Sequence, residues 1–194
     1  LADHKIDQQN PRTKGRAIPS GRLSFGYVLA VTIVCSLCFV TSASGFWFLH
    51  GNMWPLLLSP VVLLWLSAYS FMKRFTALCH IFLGSALAIS PLAAGIAIAP
   101  EYIKEPTLWY LAGMVLCWVA GFDVIYALQD EEPDIEHGLH SIPSTFGTKK
   151  SLWISRILHV LCMTCLFLFW KSTDHLNLIF SFGIGIVALL LIIE

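Results

Sequence analysis

Acidic side chains at the edges of apolar segments are the residues of this 194-residue chain best suited to chemistry. The stretch from Asp123 to Gly147 reads DVIYALQDEEPDIEHGLHSIPSTFG and sets Asp123, Asp130 and Asp134 at the mouth of an otherwise apolar segment. Spacings of seven, four and eleven residues return to one face of a 3.6-period helix, so the three carboxylates are expected to converge. A carboxylate deep in a bilayer costs ~2.5–3.5 kcal/mol on insertion scales, which makes such a cluster a functional hypothesis by default. A second pair, Asp3 and Asp7, opens the chain inside a basic, proline-punctuated segment. Carboxylate pairs at i, i+4 suit magnesium, which takes one or two protein carboxylates plus phosphate oxygens in an octahedral shell. Lys14, Arg16, Lys73 and Arg74 are the cations available for the remaining oxygens of a polyphosphate, arginine being fit for bidentate contact. Any one of these charges is explained equally well as a helix-end charge at a membrane surface. Two DxxxD pairs and their cations on one face are not.

The elements that must carry these residues are apolar. The composition is 57% hydrophobic and 12% charged with a mean hydropathy of +0.73, well outside the range of a soluble domain. Apolar runs at 25–49, 54–72, 76–99, 107–129, 151–170 and 176–193 each approach the ~20 residues needed to cross the hydrocarbon. The expected fold is therefore an all-α, multi-pass transmembrane bundle with six spans. Residues 1–24 and 130–150 are long for helix connections, usually ~2–8 residues, and long polar connections on one face are where a site would be built. Pro91 is expected to kink the third span. A net charge of zero, with no basic patch interleaved with aromatics, gives no reason to expect nucleic acid. The CxxC pairs Cys35/Cys38 and Cys162/Cys165 sit in apolar runs without polar ligands and read as small buried hydrophobes. His80 reads more readily as a helix-end histidine with a solvent partner than as a site residue. A start at Leu1 inside a motif and an end at Glu194 inside an apolar run read as a fragment, one domain over 1–194 truncated at both ends.

Positive charges orient the bundle. Lys5, Arg12, Lys14, Arg16 and Arg22 precede the first span, Lys73 and Arg74 follow the second, and Lys149, Lys150 and Arg156 flank the fourth connection. Lys104 and Lys171 fall on the other side, so the positive-inside rule places both acid clusters in the cytoplasm.

The segment DVIYALQDEEPD followed by GLHSIPSTFG resembles the second aspartate-rich motif of the UbiA family of intramembrane aromatic prenyltransferases. The opening ADHKIDQQNPRTKGRAIPSG resembles the tail of that family's first motif, in which an Asn precedes DxxxD and RxxPxG follows. YSFMKRFT at 69–76 is similar to its YxxxK signature. The resemblance implies that Asp3, Asp7, Asp130 and Asp134 hold Mg²⁺ and the diphosphate of an allylic polyprenyl donor. It implies phosphate-binding roles for Lys73, Arg16 and Lys14, further substrate contacts for Tyr126 and His140, and a deeper position for Asp123 and Tyr69 near the reacting carbon or the aromatic acceptor. It further implies about nine spans in an intact protein of the cell (inner) membrane, with the site loops cytoplasmic. The reaction would be departure of diphosphate, attack by an electron-rich ring carbon and loss of a ring proton.

Two positions depart from the pattern. The first motif's leading Asn would lie upstream of Leu1, and His140-Ser141 stands where many hydroxybenzoate enzymes carry Lys-Ser. LHSIP is closer to the branch that prenylates a dihydroxynaphthoate in menaquinone synthesis. The expected acceptor is 4-hydroxybenzoate, an aromatic carboxylic acid of quinone synthesis, with the naphthoate as the alternative. A cation-coupled transporter is the alternative of another class; it calls for charges in mid-span and half-chain repeats, and neither is present. A CDP-alcohol phosphotransferase would carry a DGxxAR signature, which is absent.

Overall fold

The computed structural model describes residues 1–173 and 178–193. The start of the sixth apolar run at 176–177, part of the connection before it and Glu194 lie outside the described residues. All regular elements among the described residues are helical: α1 His4–Gln9, α2 Phe25–His50, α3 Trp54–Met72, α4 Cys79–Ile98, α5 Pro106–Ala127, α6 Glu131–Glu136, α7 Ile142–Phe146, α8 Thr148–Lys171 and α9 Leu178–Ile193, with short 3₁₀ helices at Pro100–Lys104 and Leu128–Asp130. Helices α2, α3, α4 and α8, together with α5 extended through α6, are long and apolar enough to cross a membrane. The sixth expected run is helical over its described residues, as the apolar helix α9, Leu178–Ile193. The chain is an all-α, multi-pass membrane bundle.

Local sequence sets the helix ends. The Ser24 hydroxyl caps α2 by accepting from the Tyr27 N–H at 3.2 Å, and Gly51, at φ +70°, closes it in the left-handed conformation that glycine adopts without penalty. Prolines start α3 and α5, where the missing N–H would have no partner within the helix. Pro91 lies inside α4, which continues to Ile98.

Helix α5 packs most extensively on α8 and α4. The core between them is built from small side chains (Cys117, Ala120, Val124, Cys162) with Leu158 and Ile142, as expected where apolar helices associate by close approach in lipid. Gly84 of α4 shows how close: a Cβ there would lie 2.4 Å from the carbonyl oxygen of Leu116 on α5. Ser155 of α8 donates to the Gly121 carbonyl at 2.8 Å, and Trp65 of α3 donates to Ser85 of α4 at 2.9 Å. The large apolar side chains of α2 face outward, Phe48 and Leu37 among them. Cys35 and Cys38 share that outward exposure, contrary to the buried position expected of them, whereas Cys162 is buried.

The polar connections meet at one end of the bundle. The N-terminal segment, the α3–α4 turn and the α5–α8 connection are tied there by ion pairs and by His137, whose Nε2 lies 2.8 Å from the Gln9 Oε1. At the opposite end the Asn52 amide donates to the Ile96 and Ala97 carbonyls, joining the α2–α3 turn to the end of α4.

Candidate active site

A cavity of ≈ 300 Å³ opens where those connections meet. Each contributing segment has a local reason for its shape. In the opening segment Asp3 and Asp7 are one helical turn apart, and the turn ends at Asn10-Pro11, so the chain reverses and returns Arg12 and Arg16 toward the same mouth. Tyr69 and Lys73 stack at i, i+4 at the end of α3. Beyond Ala127 the helix tightens into a 3₁₀ turn over Leu128–Asp130 before α6 begins. The single continuous helix face expected for Asp123, Asp130 and Asp134 is thus broken, yet all three side chains line the cavity.

Carboxylates and cations are paired around the mouth. Arg12 grips Asp130 at two points, Nε to Oδ1 at 2.9 Å and Nη2 to Oδ2, while the Asn10 amide donates to the same Oδ1 at 3.2 Å. Its third contact donates to the Tyr126 hydroxyl at 2.9 Å, with the guanidinium over the tyrosine ring. The hydrogen bond to Asp130 pushes the Arg12 guanidinium above the usual arginine range, partial burial opposing it. Lys73 Nζ donates to Asp134 Oδ1 at 2.8 Å, Arg16 reaches both Asp7 oxygens at 3.1 Å, and Arg74 donates to Asp3 at 2.9 Å. The Arg16–Asp7 and Arg74–Asp3 pairs are well solvated and contribute ~0–1 kcal/mol each. Asp134 differs. Its side chain is 4% exposed, and its Oδ2 is buried with no hydrogen-bond partner among the described residues.

Deeper in the cavity, Asp123 Oδ2 lies 2.7 Å from His80 Nδ1, and the other ring nitrogen of His80 accepts the Ile142 N–H at 3.2 Å. His80 is therefore not the solvent-partnered histidine expected from the sequence. An ionisable side chain in an apolar helix calls for a nearby partner, and that signal pointed the other way.

Two further expected residues lie off the cavity wall. Lys14 is exposed and does not line the cavity; the turn after Pro11 gives the inner positions to Arg12 and Arg16. His140 acts through its backbone: its N–H donates to the Lys73 carbonyl at 2.6 Å, and its carbonyl accepts from the Cys79 thiol at 3.5 Å, while its side chain is exposed and off the cavity wall. Ser141 then caps α7 in a reciprocal exchange with Ser144, so the HSIP segment is a structural clasp on the α3–α4 turn. Conversely, Asn10 and Arg12 were not among the residues expected at the site. Pro11 between them is the signal that the chain turns back there.

Among the described residues no three His, Cys, Asp or Glu side chains converge as ligands to one ion. Magnesium on a phosphorylated substrate does not need three. One or two carboxylates and the substrate's oxygens complete its shell, so an all-oxygen donor set with the unpartnered Asp134 Oδ2 fits such an ion.

The family model of the UbiA prenyltransferase family matches residues 1–194. A 4-hydroxybenzoate octaprenyltransferase of Psychrobacter arcticus is 31% identical over 192 residues, covering 98% of this chain and 60% of the relative. One from Francisella tularensis subsp. novicida is 34% identical over 153 residues, covering 77% of this chain and 50% of the relative. The chain thus spans between half and two thirds of these relatives' length. Among solved structures, the apo structure of a UbiA homologue from Aeropyrum pernix K1 superposes with a TM-score of 0.86 at 31% identity, over 99% of this chain and 70% of that one.

Proposed function

The chain belongs to the UbiA prenyltransferase family, and from that premise we propose that the intact protein transfers a polyprenyl group from its diphosphate to an aromatic acid, 4-hydroxybenzoate first among candidates, in quinone biosynthesis. The observation that carries the reading is the meeting of both DxxxD pairs with Arg12, Arg16 and Lys73 around one cavity at the end of an apolar bundle. A diphosphate needs that concentration of cations, and a polyprenyl chain needs the apolar surroundings.

In the reaction the allylic C–O bond breaks and its electron pair leaves on the diphosphate. A ring carbon supplies the pair for the new C–C bond, then loses its proton and restores aromaticity. Arg12, Arg16 and Lys73 would hold the diphosphate and neutralise charge as it develops on the leaving group. Tyr69 and Tyr126 flank the same space and offer aromatic faces to an allylic cation. Asp123, deeper than the phosphate-binding cations, would accept a hydrogen bond from the acceptor's hydroxyl. Asp3, Asp7, Asp130 and Asp134 would hold Mg²⁺, which when bound supplies Lewis-acid neutralisation of the diphosphate. The site loops face the cytoplasm in this reading, and the membrane is the cell (inner) membrane.

The experiment is an assay of the purified intact protein with one polyprenyl diphosphate and a panel containing 4-hydroxybenzoate and dihydroxynaphthoate. Prenylated 4-hydroxybenzoate is the expected product. A strong preference for the naphthoate would move the protein to menaquinone synthesis. Cation flux in liposomes with no donor consumed would replace the enzyme reading by a transporter.

A further inference from the structure

We infer that His80 is the positioning residue for Asp123, held as a neutral imidazole with its proton on Nδ1, so that the carboxylate and not the imidazole is presented to the substrate. The Ile142 N–H points at Nε2, which must therefore offer a lone pair; the ring's one proton sits on Nδ1 and donates to Asp123 Oδ2 at 2.7 Å. Ile142 is the first residue of α7, where a backbone N–H has no partner within its own helix, and the Ser141–Ser144 cap sets the orientation of that entry. A second proton on Nε2 would place two donors head to head in a site where the histidine side chain is only 2% exposed.

Exposure gives the direction of the pair. In an Asp–His pair whose imidazole is the working group, the imidazole faces substrate and the acid is buried behind it. Here His80 is the buried partner, and Asp123, 30% exposed, lines the cavity with no hydrogen bond to Oδ1 among the described residues. His80 has no free nitrogen with which to relay a proton. Its action is geometric: it ties the start of α4, the end of α5 and the entry of α7 at one point, and it fixes the carboxylate so that Oδ1 meets the acceptor's hydroxyl. The role of Asp123 rests on the prenyl-transfer reading; the tautomer does not.

Glutamine is the substitution that tests this, because its amide N–H can serve Asp123 while its Oε1 accepts from Ile142. In ¹⁵N-histidine-labelled intact protein in detergent micelles, the His80 signals, identified by their loss in His80→Gln, are expected to show a protonated Nδ1 and a bare Nε2 at neutral pH. His80→Leu is expected to lower kcat about 100-fold, the scale of a misplaced reacting group, with the donor KM within about twofold. His80→Gln is expected to recover activity to within about threefold of the native protein, and His80→Leu to add nothing in an Asp123→Asn background. An Nε2–H tautomer or an imidazolium would overturn the inference, as would a His80→Gln variant no better than His80→Leu. If His80→Leu fails to fold, the glutamine variant and the tautomer decide. If the native protein transfers no prenyl group, the functional reading fails and the NMR result alone judges His80.

Discussion

Arg12 holds Asp130 by two of its nitrogens although 118 positions of sequence separate them, and with its remaining nitrogen it takes the hydroxyl of Tyr126. This one guanidinium joins the opening segment to the end of α5. In the proposed reaction Arg12 would hold the diphosphate from beside Asp130, through the two N–H groups that these three contacts leave uncommitted.

Arg12→Ala is accordingly expected to raise the KM for the polyprenyl diphosphate at least about tenfold, the ~1.5–3 kcal/mol of a charged hydrogen bond. Arg12→Lys should repair little of it, because an ammonium cannot reproduce the planar two-point contact. Steady-state kinetics against donor concentration provide the check, and an unchanged KM in Arg12→Ala would remove Arg12 from donor binding.

Asp134→Asn should lower kcat by about 100- to 1000-fold, the scale of losing a group that stabilises leaving-group charge. The same change strands Lys73 beside an uncharged partner, so thermal unfolding should be compared in parallel. Chelation should abolish activity in the native protein and magnesium restore it. Full turnover in excess chelator would refute the metal assignment for all four aspartates.

His140→Lys should leave the ratio of kcat/KM for 4-hydroxybenzoate and dihydroxynaphthoate within about twofold of native, because the side chain lies off the cavity. Competition between the two acids measures this directly; a large swing toward either would mean that position 140 reads the acceptor.

Gly84→Val should destabilise the bundle by about 1–3 kcal/mol, since its side chain must displace the backbone of α5 at Leu116. The effect should reach activity as well, because Gly84 lies one turn from His80 on the same helix. A variant with native unfolding temperature in detergent would show that α4 and α5 separate freely.

Single cysteines at positions 20 and 132 should react with an impermeant reagent from the same side of the membrane, as the Arg12–Asp130 ion pair and the Gln9–His137 contact between the opening segment and the α5–α8 connection require. Labelling from opposite sides would contradict the fold.

The sequence by itself determined the membrane bundle, the polar end and most of the carboxylates, because each depends on quantities that are local along the chain. Twenty apolar residues cross a bilayer whatever surrounds them, and Asp3/Asp7 or Tyr69/Lys73 share a face because a helix turns every 3.6 residues. Partnership between distant segments is of another kind. Whether Arg12 or Lys14 turns inward depends on the reversal after Pro11 and on Asp130 standing opposite. That His140 contributes its backbone while His80 contributes its ring depends on how closely α4 meets α5 and where α7 begins. Nothing in residue type or spacing specifies those distances. They follow from small side chains such as Gly84 and Ala120 admitting close helix contact, and in lipid that packing, rather than the burial of apolar surface from water, decides which helices touch.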